Sequence, residues 1–94
     1  MKRERDYVPI SCADYEILET ACMDRYAVEL ITHDGRTVAG RALDLKVRSP
    51  EEFLVVLHDD GTTEEVRADR IRNMTVLSRP CRFDDHAFAM PVKT

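Results

Sequence analysis

The stretch from Tyr7 to Cys22, YVPISCADYEILETAC, decides how this chain begins its fold. Pro9 fixes its own φ angle and pushes the residue before it into an extended conformation, so a helix cannot begin there. Ser11 is a good N-cap residue, and Asp14 follows it at the spacing of a capping box. The sequence therefore predicts a short extended arm over residues 1–10 and a helix that starts from Ser11.

The predicted helix has one apolar side and one acidic side. With about 100° between successive residues, the apolar side chains after the cap fall on a single arc. That arc consists of Tyr15, Leu18, Ala21 and Cys22. The opposite arc consists of Glu16, Glu19 and Met23. We expect the helix to pack on a sheet by the first arc and to present carboxylates to solvent on the second.

The rest of the chain reads as short strands joined by tight turns. The β-forming stretches are residues 26–33, 36–42, 53–57, 62–67 and 71–77. Asp34-Gly35 and the turn that ends at Gly61 are typical of hairpins, because glycine adopts positive φ angles readily. Gly40 lies inside a strand, where glycine usually marks a bend or a close approach of two backbones.

Five short, twisted antiparallel strands remove their unpaired edges best by closing into a small barrel. We therefore predict a mainly β (α+β) fold, with the helix and a five-stranded antiparallel barrel over residues 11–77. Residues 78–94 contain Pro80 and Pro91 and have little periodicity, so they are predicted to form a loosely ordered tail.

The charge is unevenly distributed over this small domain. The 94 residues carry a formal net charge of −4, which disfavours a nucleic-acid-binding protein because such proteins are usually basic. Residues 12–25 carry four carboxylates and one arginine, and residues 51–70 carry seven carboxylates and two arginines. An acidic surface of this kind suits a basic partner.

Several functional classes are disfavoured by the sequence. The charged N-terminus has no apolar run behind it, and no segment is long and apolar enough to span a bilayer. Three cysteines at irregular spacing do not form a disulfide framework, which favours the cytoplasm. No catalytic pair, metal motif or nucleotide-binding glycine motif is present, so we expect neither an enzyme nor a cofactor. We expect the free protein to be a monomer.

The chain resembles the Rho-binding antiterminator family, small bacterial inhibitors of the transcription-termination factor Rho. The resemblance covers roughly residues 7–76, and its most specific part is the N-terminal stretch quoted above. The residues that carry it there are Tyr7, Pro9, Ile10, Cys12, Tyr15, Leu18, Glu19, Ala21 and Cys22. Further on they are Asp34, Gly35, Asp44, Leu45, residues 53–56, Arg67, Asp69 and Ile71.

The resemblance implies an Sm-like barrel and binding to the N-terminal RNA-binding domain of Rho, which would keep RNA away from that domain. Family members are expected to direct helix carboxylates at the basic surface of Rho. The matching positions in this sequence are Asp14, Glu16, Glu19 and Asp24.

Further contact residues are expected around this acidic helix. Charge complementarity mainly provides fast association and specificity, so an apolar anchor is needed, and Met23 or Tyr7 is the candidate. The Asp59-Asp60 turn is expected mainly to close a hairpin and only secondarily to contact the partner. Lys46, Arg48 and Ser49 are expected in an exposed loop beside the barrel, where they contact the partner.

Two other functions stay open at the level of sequence. An Sm-like RNA-binding module is compatible with the fold, although the acidic charge and the few aromatic residues disfavour direct binding of nucleic acid. The acidic surface could also bind a basic protein other than Rho. Cys12 and Cys22 are expected to act as small hydrophobic residues between helix and sheet.

Overall fold

The computed structural model describes residues 10–48, 50–79 and 85–88. In these ranges the chain forms one α-helix, six strands and one turn of 3₁₀ helix. They are α1 Cys12–Met23, β1 Ala27–Thr32, β2 Thr37–Arg48, β3 Glu51–Leu57, β4 Thr63–Arg67, the 3₁₀ turn Ala68–Arg70, β5 Ile71–Val76 and β6 Asp85–Ala87. Most of the predicted arm, including Tyr7, and Ser49 lie outside the described residues.

The six strands form one antiparallel sheet in the order β4-β3-β2-β1-β5-β6. The prediction of a mainly β fold with an N-terminal helix is confirmed. The prediction of a closed five-stranded barrel is wrong, because β4 and β6 stand at the two ends of the sheet. Strand β6 pairs with β5 and takes up the backbone groups of β5 that closure against β4 would have used.

Both predicted hairpin turns are present. Gly35 and Gly61 each have a φ angle of +89°, a conformation that residues with a Cβ rarely adopt. The first turn is closed by a hydrogen bond from the Thr32 amide to the Arg36 carbonyl of 2.9 Å. These turns set the registers of β1 with β2 and of β3 with β4.

Strand β2 is longer than the sequence indicates. A register shift between Ala42 and Asp44 marks a bulge, after which the strand pairs with β3 as far as Arg48. The expectation that Lys46 and Arg48 lie in a loop is therefore wrong. Leu43 is the extra residue at this bulge, and pairing resumes with Asp44 opposite Val55, so the bulge does not end the strand.

The core lies between α1 and the inner face of the sheet. The largest fully buried side chains are Leu18, Leu30, Leu54, Ile71, Met74, Val28, Val56 and Val76. The helix supplies Leu18 and Ala21 to this core, and Cys22 packs against it. Cys12 is exposed, so the expectation that it fills the space between helix and sheet is wrong. It is the first residue of α1 and lies at the end of the helix.

The predicted loose tail is wrong for residues 85–88. Strand β6 pairs with β5, and Phe88 is only 5% exposed and belongs to the core. A strand of three residues is too short to show an alternating pattern in the sequence, and its position depends on contacts with residues far away in the chain. The other predicted tail residues, 80–84 and 89–94, lie outside the described ranges.

Candidate functional site

The N-cap of α1 fixes where the helix begins, and packing on the sheet determines which of its side chains face outward. The Ser11 hydroxyl accepts a hydrogen bond of 3.1 Å from the Asp14 amide, and the Ser11 carbonyl accepts one of 2.9 Å from the Tyr15 amide. The predicted start of the helix is thus confirmed. Because Leu18 and Ala21 are buried against the sheet, the opposite side of the helix faces solvent.

The outward side of α1 carries an exposed row that we call the helix face: Glu16, Glu19 and Met23. Met23 is 69% exposed, which is unusual for a large apolar side chain. Asp24 follows as the exposed C-cap residue, and its amide donates a 3.0 Å hydrogen bond to the Thr20 carbonyl. The structure therefore brings together four of the residues that the sequence predicted as contacts.

The helix face borders a groove of about 520 Å³ between α1 and the bulge of β2. The groove is lined by Tyr15, Glu19, Cys22, Met23, Leu43, Asp44 and Leu45. The sequence did not predict Asp44 as a contact residue, although Asp44 is one of the residues that carry the family resemblance. That resemblance was the signal that could have pointed to it.

Carboxylates from three elements act on the side chains beneath the helix face. Burial raises the pKa of the Cys22 thiol to about 11, and the negative charges of Asp44 and Glu19 add to this increase. Burial also raises the pKa of Tyr15, with further contributions from Glu19 and Glu52. The negative charges that act on these two side chains therefore come from Glu19 of α1, Asp44 of β2 and Glu52 of β3.

Asp14 does not belong to the helix face, which corrects the sequence prediction. It is only 5% exposed, and its Oδ1 lies 2.7 Å from Nε2 of His86 in β6. An ionised carboxylate only accepts hydrogen bonds, so Nε2 of His86 is the donor in this contact. The side chain is directed inward because β6, which the sequence did not reveal, reaches the first turn of the helix.

Lys46 and Arg48 are paired within the sheet. Nη2 of Arg48 lies 2.6 Å and Nζ of Lys46 lies 3.4 Å from the carboxylate of Glu65 in β4. The hydrogen bond from Arg48 is the main reason why the pKa of Glu65 is lowered. The guanidinium of Arg48 also stacks over the Phe53 ring at 4.7 Å. These interactions hold both cations on the β2–β3–β4 surface.

Asp59 and Asp60 lie exposed in the turn between β3 and β4. The Asp60 carboxylate accepts hydrogen bonds from the amide and hydroxyl of Thr62, and these bonds lower its pKa. Both aspartates border a second groove of about 730 Å³, which is lined by residues of β1, β2 and β3 and does not include α1. The structure thus separates this turn from the groove beside the helix face.

No helix within the described ranges is long and apolar enough to cross a membrane. The sequence model of the family "Modulator of Rho-dependent transcription termination" matches residues 9–88, a span that ends at the buried Phe88. Two relatives called Protein rof, from Escherichia coli (strain K12) and Shigella flexneri, are each 39% identical over 69 residues, which cover 73% of this chain and 81% of theirs.

The fold is similar to a solved structure, YaeO bound to magnesium from Vibrio cholerae O395. The two share 24% identity with a TM-score of 0.71, over 78% of this chain and 95% of that one. The structural likeness supports the architecture, and the sequence matches establish the relationship. The chain belongs to the family of modulators of Rho-dependent transcription termination.

Proposed function

We propose that this chain inhibits Rho-dependent termination by binding the N-terminal RNA-binding domain of Rho through the helix face. Family membership supports Rho as the target. The observation that carries the choice of surface is the exposed row of Glu16, Glu19 and Met23 on a helix whose other side is buried. In this proposal the bound chain keeps RNA away from the domain.

The charge distribution supports the helix face as the contact. Across the part of the chain that the structure describes, neither Glu16 nor Glu19 has an ion-pair partner, whereas Glu64 and Glu65 of β4 are paired with cations. The helix-face carboxylates can therefore meet incoming arginine or lysine side chains without breaking an existing ion pair. Charge-assisted hydrogen bonds of this kind are among the strong polar contacts of proteins.

The proposed contact combines charge with an apolar anchor. RNA-binding surfaces are electropositive, and oppositely charged groups accelerate association and favour the correct partner. Burial of Met23 would lengthen the lifetime of the complex, because well-packed central residues contribute most of the binding free energy. Asp24 extends the acidic surface. Asp59 with Asp60, and Lys46 with Arg48, are proposed as secondary contacts.

Charge reversal at the helix face tests this proposal. We expect Glu16→Lys and Glu19→Lys together to weaken binding to Rho by about a hundredfold or more, because each removes a charge-assisted hydrogen bond. The affinity for purified Rho and the displacement of single-stranded RNA from Rho are measured. Glu29→Lys is the control for charge reversal outside the helix face, because Glu29 is an exposed glutamate on the outer face of β1.

Two outcomes would contradict the proposal. If the double variant displaces RNA as well as the wild type does, the helix face is not the contact. If the wild-type chain alone binds single-stranded RNA tightly and with strong salt dependence, an RNA-binding module is the better interpretation.

A further inference from the structure

We propose that His86 is a positioning residue that holds the first turn of α1 and thereby directs the helix face toward the partner. The hydrogen bond between His86 and Asp14 links residues that are 72 positions apart in the sequence. The inference rests on the proposed function, because it explains how the surface proposed there is oriented.

The position of His86 is set by β6. His86 lies opposite Met74 of β5, and the Phe88 amide donates a 2.9 Å hydrogen bond to the Arg72 carbonyl. The ring of buried Phe88 meets the imidazole edge to face, with 4.9 Å between the ring centroids. The strand pairing and this ring contact together fix the position of the imidazole, which lies next to Asp14.

Because His86 is fixed, its hydrogen bond to Asp14 restrains the first turn of the helix. Its carboxylate is nearly buried, and a buried carboxylate requires hydrogen-bond donors because it has lost water. Glu16 follows two residues later, about 200° further around the helix axis. As long as Asp14 is held inward by His86, Glu16 must therefore face outward.

The helix needs such a constraint because it is short. A helix of twelve residues is marginal by itself, so its orientation depends on tertiary contacts. The backbone of α1 packs mainly against β2, in the middle of the sheet. His86 adds an attachment from β6 at the edge of the sheet. Two attachments on separate strands define the rotation of the helix about its own axis.

The test compares His86→Ala with His86→Gln. Glutamine carries an amide nitrogen at nearly the same distance from the backbone as Nε2 of histidine, so it can still donate to Asp14. His58→Ala is the matched control, because His58 also contacts a carboxylate, Glu64 at 3.0 Å, but lies on the β3–β4 hairpin. Amide hydrogen exchange of Tyr15 and the affinity for purified Rho are measured for each variant.

We expect His86→Ala to accelerate exchange of the Tyr15 amide and to weaken Rho binding, each by about tenfold, as expected for loss of a hydrogen bond to a charged group. His86→Gln should restore most of both losses. His58→Ala should leave exchange at Tyr15 close to that of the wild type.

The two measurements distinguish failure of this inference from failure of the proposed function. Unchanged exchange at Tyr15 in His86→Ala would overturn the role of His86. The role of His86 would also be overturned if His86→Ala showed faster exchange at Tyr15 but unchanged affinity for Rho, while the double variant Glu16→Lys with Glu19→Lys no longer bound Rho. If the wild-type chain does not bind Rho, the proposed function fails, and the exchange at Tyr15 alone then decides whether His86 holds the first turn of the helix.

Discussion

At the scale of single residues, His58 shows how one side chain can connect two parts of the sheet. Its Nδ1 lies 3.0 Å from the Ala39 carbonyl oxygen, and its Nε2 lies 3.0 Å from the Glu64 carboxylate. Both neighbours are acceptors, and only the protonated imidazolium donates from both nitrogens. The hydrogen bond to Glu64, followed by that to Ala39, accordingly raises the pKa of His58 above its ordinary value of 6.5.

This contact predicts a pH dependence with a definite sign. Because the pKa of His58 is raised by folding, its contribution to stability is full below about pH 6.5 and is lost as the pH rises through the folded pKa. We expect Glu64→Gln to lower the pKa of His58 toward its ordinary value, as measured by NMR titration of the imidazole. Glu65→Gln is the control, because Glu65 pairs with Arg48 and Lys46. An equal pKa in the wild type and in Glu64→Gln would contradict this assignment.

At the scale of elements, the pairing of β2 with β3 depends on a close approach at Gly40. A Cβ atom added there would lie 2.6 Å from Cγ1 of Val56 and would also collide with the Leu57 carbonyl oxygen. The φ angle of Gly40 is not in the left-handed region, so the backbone itself would accept alanine. The need for glycine therefore comes from the neighbouring strand.

The same geometry predicts the effect of Gly40→Ala. Where space is available, replacing glycine with alanine usually stabilises a protein, because it restricts the unfolded chain. Here we expect destabilisation by about 1–3 kcal/mol, because the added methyl group overpacks the strand pair. Urea denaturation measures the change, with Ala39→Ser as the exposed neighbouring control, expected within about 0.5 kcal/mol of the wild type. If Gly40→Ala were more stable than the wild type, β2 and β3 would be able to move apart and accommodate the methyl group at no cost in stability.

At the scale of the whole molecule, the small core is completed by the C-terminal segment. A domain of 94 residues has a small core, so each buried side chain contributes a large part of the total free energy of unfolding. Phe88 joins α1 and the five preceding strands in a single core cluster. Strand β6 and Phe88 are therefore part of the folding unit, in agreement with the family match over residues 9–88.

The comparison of Phe88→Ala with Leu77→Ala tests this role. Phe88 is buried, whereas Leu77 is 57% exposed, so the two variants remove large apolar side chains from opposite environments. We expect Phe88→Ala to lower the free energy of unfolding by about 3–5 kcal/mol and Leu77→Ala to change it by about 0.5 kcal/mol or less. Chemical denaturation of both variants gives the measurement. Similar losses in the two would mean that the C-terminal segment does not contribute to the core.

Much of the fold and part of the site could be predicted from local sequence. Ser11 and Pro9 predicted the start of the helix, because capping depends on residues only a few positions apart. Gly35 and Gly61 predicted the turns, and runs of β-forming residues predicted the first five strands. The spacing of Glu16, Glu19 and Met23 predicted their common exposed face, because the period of a helix is the same in every protein.

The tertiary structure alone decided the features that depend on residues far apart in the chain. The sheet stays open because β6 pairs with β5, β2 continues because a bulge at Leu43 lets it pair with β3 as far as Arg48, and Asp14 lies inward in contact with His86. In each case the deciding partner lies many positions away and leaves no periodic signal. Local patterns thus determined which elements form and which side chains share the helix face. Long-range pairing determined where the sheet ends and which carboxylate is buried.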